Sequence, residues 1–441
     1  MKKYIDILVV WGVLYATVSG QLNKISFEEY TLDNGLHVIL HQDKSMPIVV
    51  VSVMVHVGSK NENPERTGFA HFFEHLLFEG SENIERGEFD QYVEKAGGTL
   101  NANTSWDRTY YYEILPSNQL ELGLWLESER LLHAKVDQKG IDTQREVVKE
   151  EKRQRIDNQP YGRILQETMS RLFKKHPYRW PVIGYMEHLD AASEEDYLQF
   201  YSEYYVPNNA VLSIAGDFDI DQTKKWVEKY FGTIPRSAHK IFRPEIQEPP
   251  VEGVVRDTVY DHIQLPAVII AHRTAPQGTS DSYALSMLGQ VLSQGQSSRL
   301  HKKLVEEEQK SLFAGSFPLA LEDAGVNLSF SILNLGAYPA DVEKIIIGEI
   351  EKLQTQLISD WEFKKLQNQV ENNFISANTR LEGIAESLAN YHLYFGDANL
   401  INTELNRYLS VTREDLQRVA QKYFQADNRV ILYYMPQPNS Q

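Results

Sequence analysis

His71, Glu74 and His75 fall within five residues, in the run His71-Phe72-Phe73-Glu74-His75. On a helix, residues four apart lie one above the other on the same face, so His71 and His75 can offer two imidazole nitrogens to one metal ion. Glu74, three residues after His71, shares that face and can reach a water held by the ion. The arrangement mirrors His-Glu-x-x-His and uses the same mechanics. A zinc with two His ligands and one carboxylate keeps a position open for water and lowers its pKa towards about 7. Glu74 is then placed to take a proton as that water attacks a peptide carbonyl, and to deliver it to the leaving amine. Two His at helical spacing also occur on solvated faces with no metal at all. Here the flanks Phe69, Ala70, Leu76, Leu77 and Phe78 are apolar, so the helix is expected to be buried, and buried polar groups need partners. A metal supplies one.

A third ligand must come from elsewhere. The run Gln144-Arg145-Glu146-Val147-Val148-Lys149-Glu150-Glu151 lies on a predicted helix. Spacing alone does not choose between Glu146, Glu150 and Glu151, and carboxylates on such a helix commonly line a solvated face.

Composition narrows the alternatives. The 441 residues include no cysteine, so there is no disulfide framework and no thiol nucleophile, and any metal must sit on His, Asp or Glu. The net charge of −17 argues against nucleic acid as a partner. No Gly-x-Ser-x-Gly motif supports serine hydrolase chemistry, and no phosphate loop supports nucleotide binding. Lys2 and Lys3 precede a mostly apolar run over residues 5–18, interrupted by Asp6, and Val18-Ser19-Gly20 offers small residues before Gln21. This reads as a signal peptide over residues 1–20. The competing reading is an uncleaved anchor, but the run is short of the about 20 residues a span needs. Export without cysteine suits a bacterial periplasm.

The elements that must position the site follow from local pattern. Residues 47–57 are valine-rich and read as a buried strand, and residues 68–78 as the helix that carries the His pair. Residues 99–104 and 109–115 read as paired strands, 120–132 and 142–157 as helices, and 210–215 as a strand. Ser193 and Asp196 begin a further helix over residues 193–205. Residues 234–252 hold Pro235, Pro244, Pro249 and Pro250, a linker composition. The pattern then restarts: strand 265–271, helix 282–292, strand 326–333, helices 340–357, 360–377 and 412–424, strand 429–435. Two domains are expected, over residues 25–233 and 253–437, as a divergent repeat. Gly80 and Gly295 end equivalent helices, an offset of 215. That offset maps His71 to Ser286, Glu74 to Gly289 and His75 to Gln290, so the second copy keeps the scaffold and lacks the chemistry.

The chain resembles the insulinase/pitrilysin family, in its short bacterial and mitochondrial-processing type. The resemblance rests on Asn34-Gly35-Leu36, Val57-Gly58-Ser59, the run from Gly68 through His71, Glu74 and His75 to Phe78, and Gly98-Thr99-Leu100-Asn101-Ala102. It continues through Glu127-Ser128-Glu129-Arg130, Arg145-Glu146-Val147-Val148, Glu150-Glu151, Pro207-Asn208-Asn209 and Gly216-Asp217. It implies two α+β domains, each an antiparallel sheet with helices packed on one face. It also implies one zinc per chain, held by His71, His75 and Glu151, since the family's distal ligand, 76 positions beyond His75, falls on Glu151. Glu74 is the implied base. Gln144 stands where family members often carry a supporting Glu, so tuning behind the ligands is expected to differ. A peptide is expected to bind extended along an edge strand at Asn101 and Ala102, by β-augmentation. The family's Arg and Tyr, which hold substrate and oxyanion, fall on Val305 and on Leu312 or Phe313; both are missing. The implied enzyme is therefore a zinc metalloendopeptidase for short or unfolded peptides. It would be the catalytic subunit of a heterodimer whose partner supplies Arg and Tyr, with a homodimer as the other arrangement. The alternative is a non-catalytic scaffold or peptide-binding subunit of the same fold.

Overall fold

The computed structural model describes residues 24–438; the signal segment expected over residues 1–20 lies outside them. Among the described residues, six strands form in the first half: β1 (Glu28–Thr31), β2 (His37–Gln42), β3 (Ile48–Val55), β4 (Thr99–Thr104), β5 (Thr109–Pro116) and β6 (Ala210–Gly216). They make one sheet in the order β1-β2-β6-β3-β5-β4. Five strands form in the second half: β7 (Gly253–Asp261), β8 (Ala267–Thr274), β9 (Ser311–Leu319), β10 (Gly325–Leu333) and β11 (Asn428–Pro436). Their order is β7-β11-β8-β10-β9. Without β1, the two orders are the same, strand for strand.

Neither sheet is wholly antiparallel. β2 pairs with β6 and β7 with β11 in parallel, and every other pair is antiparallel. The reason is topological. β2 and β3 run in opposite directions across a short turn, and the last strand of the half inserts between them after a long crossover. It must be parallel to one of them and antiparallel to the other.

The helices of the first half are α1 (Phe69–Leu76), α2 (Phe89–Lys95), α3 (Leu120–Leu132), α4 (Gln138–Lys152), α5 (Ile164–Leu172), α6 (Met186–Ala191), α7 (Glu194–Tyr204) and α8 (Ile220–Phe231). Those of the second are α9 (Ser280–Ser293), α10 (Pro339–Thr355), α11 (Asp360–Ala377), α12 (Leu381–Phe395), α13 (Leu400–Leu409) and α14 (Arg413–Tyr423). Ser193 and Asp196 cap α7 reciprocally. A π-helical turn, Arg153–Asp157, follows α4.

Helices cover both faces of each sheet, not one. Val49, Val51 and Val53 pack with α1 and α3 in one core. Val50 and Met54, on the opposite face, pack against Leu381, Ala385, Leu388 and Ala389 of α12. In return, Met169 and Leu172 of α5 pack on Ile269, Ala271, Val430 and Leu432 of the second sheet. Each half thus lends a helix to the other. β3 carries the signature: seven consecutive buried residues from Val49, a continuous apolar run suited to burial on two sides. Residues 234–252 hold no helix or strand but are tied down. Arg243 Nη1 donates to the His56 carbonyl at 2.7 Å, and Glu248 accepts from the backbone N–H groups of Lys174, Lys175 and His176.

Candidate metal centre

Both ends of α1 are held by buried side chains. At its start Gly68 has φ 95°, and a Cβ there would meet the Ile183 carbonyl oxygen at 2.7 Å, so glycine is required. The buried Glu62 carboxylate accepts from the N–H groups of Gly68 and Ala70 at 2.8 and 2.9 Å. At the far end Arg130 Nη1 donates to the Leu77 carbonyl at 2.9 Å. Burial pushes the Glu62 carboxyl well up, with the helix N–H groups opposing the rise, and the cation at the C-terminus matches the helix dipole. Arg130 is itself buried among the rings of Phe78, Phe89 and Tyr111, 4.4–4.5 Å from their centroids. It pairs with Glu127 at 3.0 Å and lies 3.5 Å from Glu113. Phe69 stacks against Tyr197 of α7 and Phe73 against Phe200, and Phe72 packs tilted on Tyr197. With the phenylalanines committed to that side, His71, Glu74 and His75 point the other way, towards α4 and β4.

α4 presents one of its three candidate carboxylates. Glu151 shares a helix face with the buried Val148 and Ile141, and its side chain is 15% exposed. Glu146 and Glu150 are 68% and 53% exposed and pair with Lys149 and Arg153 in solvent. Glu151 Oε2 lies 2.9 Å from His75 Nε2 and 3.5 Å from His71 Nε2. Its alignment gives no proper hydrogen bond. The three residues bring their ligand atoms within 4.8 Å of one another. Burial, reinforced by the His75 ring, holds the His71 pKa down to about 4, so its lone pair is free at neutral pH. Contact with His75 holds the Glu151 carboxyl below its ordinary range against the opposing effect of burial. Two imidazole nitrogens and a carboxylate oxygen that converge in this way fit a divalent cation of zinc type.

Glu74 is placed beside this cluster. Its Oε2 accepts from Thr104 Oγ1 of β4 at 2.6 Å. Burial raises its pKa, and the Thr104 bond opposes the rise. Glu74, His75, Glu151, Asn101, Ala102 and Gln144 all line one groove of about 860 Å³. β4, which carries Asn101 and Ala102, is the edge strand of its sheet. The Ala102 N–H donates to the Asn101 side chain at 2.8 Å, so the edge caps one of its own donors. Gln144 faces the groove but bonds Glu79 Oε1 at 2.5 Å. Val305 packs partly buried on the second core, while Leu312 and Phe313 lie on β9, 61% and 41% exposed.

Two residues of the site were not anticipated. Thr104 was within reach of sequence reasoning, because strand alternation puts it on the same face as Leu100 and Ala102. Arg155, which donates to Glu151 Oε1 at 2.7 Å, lies one turn on, where helical spacing pairs i with i+4. A second cavity of about 330 Å³, lined by Trp106, Met169, Trp180 and Val182, opens on the His71 side.

Comparison with known proteins shows the family. The family description "Insulinase (Peptidase family M16)" matches residues 37–184, and "Peptidase M16 inactive domain" matches residues 191–370. The chain is 30% identical over 432 residues to the zinc protease PqqE of Helicobacter pylori, covering 96% of this chain and 97% of that one. It is 24% identical to the uncharacterized zinc protease YmxG of Bacillus subtilis, over 92% of this chain and 97% of that one. Among solved structures, a protease from Helicobacter pylori superposes with TM-score 0.89 at 29% identity, covering 93% of this chain and 100% of that one. The periplasmic protease PqqL from Escherichia coli shares the fold, with TM-score 0.76 at 19% identity, over 94% of this chain and 48% of that one. With a repeated two-sheet fold, a His-x-x-Glu-His helix facing a distal carboxylate, and a relative alike over nearly its whole length, the chain belongs to the insulinase family of peptidases, M16.

Proposed function

We propose that this protein is a zinc-dependent endopeptidase that cleaves short or unfolded peptides. The observation that carries the reading is the convergence of His71, His75 and Glu151, with Glu74 on the wall of the same groove. Zinc held by the three side chains would supply Lewis acidity to the attacking water and the scissile carbonyl. The rest falls to the protein. The peptide lies extended against β4, where backbone hydrogen bonds give affinity without strong sequence demand. Asn101 and Ala102 hold it in register beside Glu74. Glu74, as a carboxylate, takes the proton of the water and returns it to the amine that leaves. Thr104 orients that carboxylate.

Neither an Arg nor a Tyr stands at Val305, Leu312 or Phe313. An oxyanion donor is worth a factor of about 100 or more in rate, so full activity on this reading needs a partner subunit that carries both, either a homologous chain or a second copy. The signal-like run over residues 1–20 supports a bacterial periplasm as the compartment of the pair.

Elemental analysis and a quenched fluorogenic peptide test the core of the proposal. The wild-type chain should lose one zinc per chain on His71→Ala, while Glu74→Gln should keep it and lose cleavage. Equal zinc in the wild type and His71→Ala after reconstitution would overturn the peptidase reading in favour of a scaffold. A chain that is strictly monomeric and fully active would remove the partner.

A further inference from the structure

A second set of two His and one Glu meets on the opposite face of the first sheet. β1 and β2 pair with Thr31 opposite His37 and Glu29 opposite Ile39. Paired residues point the same way, so Glu29, Thr31 and His37 share the face on which Ile39 packs against α12. On α12, His392 follows Leu388 by four residues and so lies on the stripe that covers this face. The rings of His37 and His392 stack with centroids 3.3 Å apart and planes within 4°. Glu29 Oε2 lies 3.2 Å from His37 Nε2, and Thr31 Oγ1 lies 3.0 Å from His37 Nδ1. The three residues bring their ligand atoms within 4.8 Å of one another.

We propose that Glu29, His37 and His392 form a second binding site for a divalent transition metal of zinc type, which fastens α12 of the second half to the edge of the first sheet. Three features support it independently of the reading of the first site. His392 Nδ1 is buried with no hydrogen-bond partner among the described residues, and a buried polar atom left unpaired is costly; a metal would satisfy it. Burial holds both imidazoles down to about 4, the neighbouring ring adding to the effect at His392, so both offer lone pairs at neutral pH. Thr31 stands behind His37. A carboxylate only accepts, so without metal His37 Nε2 donates to Glu29 and Nδ1 accepts from Thr31. With metal on Nε2 the proton moves to Nδ1 and donates to Thr31, the arrangement that orients metal-bound imidazoles elsewhere. Because the ligands come from both halves, the ion would bind the folded chain and not the unfolded one, and stabilise it by linkage.

The test uses the chain carrying His71→Ala and His75→Ala, which disables the first site. Stripped of metal and titrated calorimetrically with zinc chloride, it should still bind one ion per chain, with a rise in melting temperature. Adding His392→Gln should abolish both. Adding Glu29→Gln, on a half-exposed strand where folding is safe, should weaken binding at least tenfold. No ion bound by the His71→Ala/His75→Ala chain, or the same binding after His392→Gln and Glu29→Gln, would overturn the proposal.

Discussion

The two halves are built on sheets of the same strand order and differ where α1 and α9 meet their edge strands. In the first half α1 turns a carboxylate towards β4, and Glu74 spends its hydrogen-bonding capacity on Thr104. In the second half, Gly289 stands at the position of Glu74 and lies against β9. A Cβ on Gly289 would meet the Pro318 ring at 2.7 Å. Ser293 Oγ ties the end of α9 to β9 through the Ser316 carbonyl at 2.6 Å. One copy keeps ionisable groups half-buried around a groove; the other closes the same space with glycine and a proline ring. The difference shows how function costs packing: groups that destabilise the fold persist only in the copy that uses them.

The comparison can be broken most severely at Glu74. Glu74→Gln should lower kcat/KM by about 10²–10⁴, the usual worth of a general base, while the melting temperature stays equal or rises as a buried carboxylate is removed. Retained turnover would mean that the two helices do not differ in chemistry.

Arg130 comes next. Arg130→Met leaves Glu113 and Glu127 buried without their cation, at a cost of about 3–5 kcal/mol. It also frees the end of α1. Urea denaturation checks this, and a loss under about 1 kcal/mol would show that α1 is not held from behind.

Gly289→Ala sharpens the contrast from the other side. The added methyl should overpack the α9–β9 contact by about 1–3 kcal/mol and leave peptide cleavage unchanged. If stability is unaffected, the second half is not closed as described.

The smallest effect is expected at Thr104. Its hydrogen bond lowers the Glu74 pKa against burial; Thr104→Val removes that bond, so the pKa rises. Because the base acts as a carboxylate, the acid limb of the kcat/KM profile should move to higher pH, with little change well above it. An unmoved limb would detach Glu74 from that limb.

Much of this was legible in the linear chain. The spacing of His71, Glu74 and His75 fixes their relation on any helix, and the apolar residues between them assign the buried side. The linker composition, the restart of pattern after it and the 215-residue offset pointed to a repeat that the strand orders bear out. α3 and α11 occupy their expected spans, because their apolar periodicity agrees with what the core then selects. The parallel pairs were not legible, since the insertion of β6 between β2 and β3 is a matter of crossover and not of local pattern. Nor were α5 and α12 in their exchanged places, although the unbroken burial of β3 hinted at a second covered face.

What the sequence determined by itself, then, is everything that lies within one element: which residues share a helix face, where a helix is capped, which strand is apolar on both sides. Periodicity is a local property and needs no partner. Only the tertiary structure decided what meets across elements. The packing of α4 on α1 turns Glu151 inward and leaves Glu146 and Glu150 in solvent, a choice that helical spacing left open and only the family resemblance implied, and the register of β4 brings Thr104 to Glu74. The helix lent by the second half sets His392 on His37, 355 residues away in the chain. Such meetings depend on how whole surfaces pack, a sum over many side chains that no single stretch of sequence contains.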